Sequence, residues 1–169
     1  NSPNNPSLRD AYWMLLVVSK RFEKAERVVR EMKAELGQDS PDYTQRYLES
    51  RLGLLAMIRG DFGAAREHFN AAVDREDPLA WSGDEIMSLT LGSLAHRETG
   101  DSEQAGALLV SAERIIRRAR LNGVDDPNIY YAEGVVAALK GEQDVALQKL
   151  QMAYERGFRE AWVLDIDDR

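Results

Sequence analysis

Two histidines, a knot of arginines and a run of aspartates are the side chains here whose types could do chemistry, and their spacing commits them to no reaction. His68 and His96 are the only histidines, and with no cysteine in the chain neither has a second soft ligand at the short range a zinc site needs. Arg114, Arg117, Arg118 and Arg120 crowd the end of a helical run, where cations complement the helix dipole and solvate an outer face; an anionic partner is the alternative use. Asp165, Asp167 and Asp168 lack the glycine and distal glutamate of a calcium loop and read as a solvated terminus. There is no Gly-rich phosphate loop, no Gly-x-Ser-x-Gly elbow and no positioned carboxylate pair. The residues support no enzyme, no metal and no cofactor.

The elements that must position these side chains are helices. Ala, Leu, Glu and Arg dominate, and the 169 residues make one domain's worth of chain with strand signals absent. A net charge of −7 disfavours nucleic acid as a partner. No apolar run approaches the roughly 20 residues of a membrane span, so no membrane insertion is expected. Cap and breaker residues divide the chain into hairpins at roughly 8–37, 41–76, 82–122 and 127–156, followed by a short terminal helix at 159–165. The devices are Ser7 with Asp10, Gly37, Ser40-Pro41, Asp61, Asp77-Pro78, Ser82 or Asp84, Asp101 or Ser102, Asp126-Pro127 and Gly157. Phe158 and Trp162 would let the terminal helix lie over the open end of the last hairpin.

One stretch sets the pattern: Leu52-Gly53, Gly60-Asp61, Ala65, Phe69 and Ala72. Small residues at Gly53, Ala65 and Ala72 permit close helix approach, and Leu52 and Phe69 fill the gaps. The register recurs in Gly134, Gly141, Ala146, Leu150 and Ala153. It recurs again in Leu91-Gly92, Gly100-Asp101, Ala105, Leu109 and Ala112, with one extra residue between the glycines. A weaker copy, lacking both glycines, holds Tyr12, Trp13, Leu16, Ala25, Val29 and Met32. The alanines 25, 65, 105 and 146 stand 40, 40 and 41 residues apart. The order of types resembles the tetratricopeptide repeat (TPR), with a period above its usual ~34 residues, and with Glu49 and Ala56 where that family often has Trp and Tyr.

The resemblance implies an all-α, right-handed superhelix of about four hairpins plus a capping helix, with a concave groove lined by the first helix of each hairpin. Carried over frame by frame, it implies groove residues Met14, Val17, Val18, Tyr47, Arg51, Leu54, Met57, Ile58, Leu89, Ser93, His96, Arg97, Tyr131, Val135 and Leu139. This set is mostly apolar and lacks the lysines and asparagines with which TPR domains clamp a C-terminal carboxylate. An amphipathic helix or an extended peptide with bulky anchors suits it better, with Arg51, His96 and Arg97 as polar selectors. Internal packing of these side chains, a homodimer, and a small-molecule or peptide sensor are the alternatives.

Tyr154-Glu155-Arg156-Gly157-Phe158-Arg159-Glu160-Ala161-Trp162, with Leu164 and Asp165, is similar to the end of TPR regions in bacterial winged-helix regulators and class III-type adenylate cyclases. That similarity implies the sensory or assembly part of a larger signalling protein. The start at Asn1 and the pattern's stop after Trp162 are read the same way, as a fragment. The compartment stays open between cytoplasm and periplasm.

Overall fold

In the computed structural model, residues 6–36, 42–73 and 83–158 are described. They form eight helices: α1 (Pro6–Val18), α2 (Phe22–Ala34), α3 (Asp42–Ile58), α4 (Phe62–Ala72), α5 (Gly83–Glu98), α6 (Ser102–Leu121), α7 (Pro127–Leu139) and α8 (Gln143–Glu155). No strand occurs among the described residues, so the class is all-α. The Gly37, Ser40-Pro41, Asp77-Pro78 and Ser82 signals and the terminal helix with Trp162 lie outside the described residues.

The hairpins are made by one repeated turn. Gly60, Gly100 and Gly141 hold positive φ of 75°, 86° and 80°. At each, the glycine N–H donates to the carbonyl three residues back and the following N–H to the carbonyl five residues back, as in Gly60 to Met57 (3.0 Å) and Asp61 to Ala56 (3.0 Å). This is the Schellman ending, which satisfies carbonyls a helix otherwise leaves unpaired. At two of these turns the residue after the glycine caps the second helix: Asp61 accepts from the Ala64 N–H and Asp101 from the Gln104 N–H. A chain that stops one helix and caps the next within two residues can only fold back on itself.

The first hairpin has the same turn with a lysine in it. Lys20 sits at φ 56°, Lys20 N–H donates to Val17 (2.9 Å) and Arg21 N–H to Leu16 (2.8 Å). A left-handed backbone at a side chain with a Cβ costs about 1–2 kcal/mol that glycine does not incur. Lys20→Gly is therefore expected to stabilise the protein by about 1 kcal/mol, as a higher urea midpoint at unchanged slope. An unchanged or lower midpoint contradicts it.

Counting from these four turn residues corrects the alignment of the third copy. Five residues after each turn come the buried alanines Ala25, Ala65, Ala105 and Ala146. Seven residues before come Trp13, Gly53, Ser93 and Gly134. Ser93, not Gly92, is thus the counterpart of Gly53, and there is no extra residue. Its hydroxyl donates to the Ala105 carbonyl (2.9 Å), and at Gly134 an added Cβ would lie 3.3 Å from the equivalent Ala146 carbonyl. Gly92 instead faces backwards, with an added Cβ 3.2 Å from Phe69 of the preceding hairpin and 3.5 Å from Leu108. Leu108 is accordingly buried while Leu109 is only half-buried.

Helices pack within hairpins, between consecutive hairpins, and as α3 on α5 and α5 on α7. The core is correspondingly serial. Trp13, Leu16, Val29, Leu48 and Leu55 join the first two hairpins. Ala56, Ala65, Phe69 and Ala95 join the second and third, and Ile86, Leu89, Ile115, Ile129 and Val136 the third and fourth. No hairpin closes a core alone.

Candidate interaction surface

The first helices α1, α3, α5 and α7 carry every residue of the expected groove, and their burial divides that set. Val17, Leu54, Ile58, Leu89 and Ser93 are buried in the chain's own core. Leu89, at 0% exposure, cannot meet a partner. These assignments to an open groove are corrected: α3 and α5 pack so closely that their facing side chains meet each other, as the buried hydroxyls of Ser50 and Ser88 do at 3.0 Å. Met14, Tyr47, Met57, Tyr131, Val135 and Leu139 are half-buried, and Val18 and Arg97 exposed.

His96 is corrected as well. It is buried, with Nδ1 3.2 Å from the Asp101 carboxylate and Nε2 3.1 Å from Oδ1 of Asn70. It joins α4 to the cap of α6 and selects nothing at a surface. Arg97 reaches from α5 to α7, donating to the Leu139 carbonyl at 3.3 Å. Tyr131 is covered on one side by Phe158, whose ring stacks on it at 4.4 Å.

Arg51 is the centre of a cluster that the sequence showed only in part. Its guanidinium lies between the rings of Trp13 (4.6 Å) and Tyr47 (4.4 Å), donates to the Tyr47 hydroxyl (3.0 Å), and pairs with Asp10 (3.6 Å) and Asp84 (3.4 Å). Arg51 is therefore buried too, and its expected role as a polar selector is corrected to a structural one. The Tyr47 hydroxyl in turn donates to Asp10. One cation thus ties α1, α3 and α5 together. The i, i+4 spacing of Tyr47 and Arg51 marks one helix face in the sequence. Asp10 and Asp84 are 41 and 33 residues from Arg51 and gave no comparable sign.

A second ion–aromatic cluster joins α6, α7 and α8. The Tyr130 ring is held between Arg120 (3.7 Å) and Arg156 (4.5 Å), and its hydroxyl donates to Asp125. Arg120 also pairs with Glu133, so of the sequence's arginine knot this member is structural, while Arg114, Arg117 and Arg118 are exposed. Elsewhere, Glu49 accepts from Lys33 of α2 and pairs with His68 of α4 (2.8 Å). A cavity of about 120 Å³, to which His68 contributes, is lined by Leu52, Leu55 and Ala56 and by the Arg59–Glu26 pair. That is room for a few waters, well below the ~300–1,000 Å³ of small-molecule pockets. Among the described residues no three His, Asp or Glu converge as metal ligands.

These pairings set the acid response. Hydrogen bonding from Arg30 holds the Glu26 carboxyl below its ordinary range, and the Gln104 N–H does so for Asp101. Burial pushes Glu49 and Glu133 upward, but Lys33 with His68, and Arg120 with Lys149, outweigh it and leave both lowered. A carboxyl lowered on folding adds stability above its unfolded value of about 4 and loses it as pH falls through the folded one. Melting temperature is expected to hold from pH ~8 to ~5 and fall steadily towards pH ~3. A melting temperature that rises below pH ~4 would contradict the pairings.

No protein-family model, no curated protein and no solved structure matches this chain. What the molecule presents is its own array of hairpins and the surfaces they leave uncovered.

Proposed function

We propose that this chain is a non-enzymatic protein–protein interaction module of TPR type, a right-handed superhelix that binds a helix or extended peptide along its first helices. Its parent is a larger bacterial signalling or regulatory protein. The observation that carries the reading is the repeated hairpin itself. One turn and one crossing alanine recur four times and set α1, α3, α5 and α7 in series. Along that series Met14, Met57, Val135 and Leu139 are only half-buried. Accessible methionines suit a surface that adapts to bulky apolar anchors, and Arg97, exposed beside Leu139, supplies a cation at the α5–α7 end. The peptide contact is thus narrower than the resemblance implies.

Selection of peptides from a random displayed library, followed by calorimetry on the best binder, tests this. Bulky apolar anchors should be enriched. Met57→Asp and Val135→Asp should each weaken binding about tenfold or more with helicity unchanged, and Leu147→Asp on α8 should not. Peptides that bind both groove variants as well as the wild type would refute the site.

A further inference from the structure

Arg114, Arg117 and Arg118 stand exposed on α6, and among the described residues none of them holds a carboxylate. Arg9, Arg30, Arg59, Arg120 and Arg156 each do. The helix dipole accounts for cations in the last turn alone, where Arg118 already has Arg120 beside it; Arg114 and Arg117 lie further back. Arg114 is three residues from Arg117 and four from Arg118, so these cations are neighbours on one helix surface. Like charges at those spacings weaken a helix. The carboxylate that could relieve them, Glu113 four residues before Arg117, turns instead to Lys140 (2.7 Å).

The rest of the same face is apolar or small. Val110 and Leu121 are 63% and 80% exposed. Val110, Arg114, Arg117 and Leu121 follow one another at four, three and four residues, which makes one ridge about 16 Å long. A turn before Val110, Gly106 and Ala107 are exposed as well. A Cβ added at Gly106 would meet nothing within 4 Å, so no neighbour in the chain calls for a glycine in the middle of this helix. Side chains this short leave room for a second helix to come close.

We infer that the outer face of α6 docks an acidic amphipathic helix of a partner protein, at a site separate from the peptide surface of the first helices. Carboxylates of the partner at helical spacing engage the three guanidiniums, and its bulky apolar side chains on either side cover Val110 and Leu121. The charge pattern selects this partner. A nucleic acid or an anionic membrane carries its charge far beyond three arginines and meets the remainder of a chain whose net charge is −7. A helix with two or three carboxylates meets the arginines alone. The planar guanidinium grips a carboxylate through two parallel hydrogen bonds, which gives the contact direction as well as charge. Docking also removes the mutual repulsion that the three cations bear in the free chain.

Selection of helical peptides about 20 residues long from a displayed library, followed by fluorescence anisotropy on the whole chain, tests this. Enriched sequences should carry two or more carboxylates at helical spacing with a bulky apolar residue about a turn away. Arg114→Glu should weaken the best binder about thirtyfold, Val110→Asp about tenfold, and a rise in salt from about 50 to about 300 mM about tenfold. Met57→Asp, on the surface of the first helices, should leave it unchanged. In the free chain Arg114→Glu should raise the melting temperature by about 2 °C, because two repulsions become attractions. A change that strengthens the fold and abolishes docking is what a merely structural arginine would not give. The inference is overturned by a selection without acidic binders, by binders indifferent to Arg114→Glu, or by a melting temperature that does not rise. Tighter binding through the same arginines of an oligouridylate of about 20 nucleotides, or of vesicles with about 20% phosphatidylserine, would overturn the choice of partner.

Discussion

Asp10→Asn together with Asp84→Asn is expected to destabilise the protein by about 3 kcal/mol, more than Arg51→Met does. The order is counter-intuitive, because Arg51 is the group with most contacts. It follows from which group is left stranded. The Arg51 side chain is 9% exposed, whereas those of Asp10 and Asp84 are 40% and 46% exposed. Removing the cation returns two half-solvated carboxylates to water at little cost, and methionine keeps an apolar stem between Trp13 and Tyr47. Removing the carboxylates leaves a guanidinium buried without a counter-charge, a change that ordinarily costs about 3–5 kcal/mol. The two rings offset part of that by cation–π attraction, which sets the lower end of the range. Urea unfolding of the three variants decides it. If Arg51→Met is the most damaging, the cluster contributes mainly through its ion pairs and the burial argument fails. Because the cluster ties α1, α3 and α5, its loss should also loosen the surface proposed to hold a peptide.

The extent to which the sequence disclosed this molecule follows from the range of each cause. Helix ends were legible because their causes are local: Asp61 and Asp101 each cap within three residues, and Pro127 follows the capping Asp126 directly. The turn at Lys20 was missed as a turn equivalent because the pattern was sought as glycine, while the left-handed conformation is what recurs. The same reliance on glycine misplaced the third frame on Gly92, when the crossing there needs only a small residue whose hydroxyl finds a carbonyl, as Ser93 does. Which residues of the first helices stay accessible was not legible. That depends on how closely α5 seats against α3 and α4, and the buried states of Leu89 and His96 follow from that seating. The exposed side of α1, which carries Leu8, Tyr12, Leu15 and Val18, was hidden for the opposite reason. Its apolar residues are as dense on one face as on the other, so the pattern cannot say which face lies inside.

Two glycines that look equivalent in the repeat should respond differently to the same change. An added Cβ at Gly53 would lie 2.8 Å from Phe69 Cε1 and 2.9 Å from two further ring carbons. Phe69 is 1% exposed and is itself in contact range of Gly92 on the next hairpin, so its ring has nowhere to go. An added Cβ at Gly134 comes as close, 2.9 Å from Leu150, but Leu150 is 37% exposed on α8 and can turn into solvent. The 3.3 Å approach to the Ala146 carbonyl remains and sets the strain there at the lower end of the overpacking range, about 1 kcal/mol. Alanine in place of glycine inside a helix gains about 1 kcal/mol in either case. At Gly53 overpacking of about 1–3 kcal/mol opposes that gain, and since a rigid buried ring cannot relax the upper part of that range applies. Gly53→Ala is therefore expected to lose about 2 kcal/mol net, and Gly134→Ala to stay within about 0.5 kcal/mol of the wild type. Phe69→Leu costs stability alone by vacating core volume, yet in the Gly53→Ala background it should cost less, with a coupling of about 1–2 kcal/mol. Equal effects at the two glycines would mean that the next hairpin does not hold Phe69 in place. The coupling between hairpins, which makes four marginal units into one folded array, would then have to reside elsewhere.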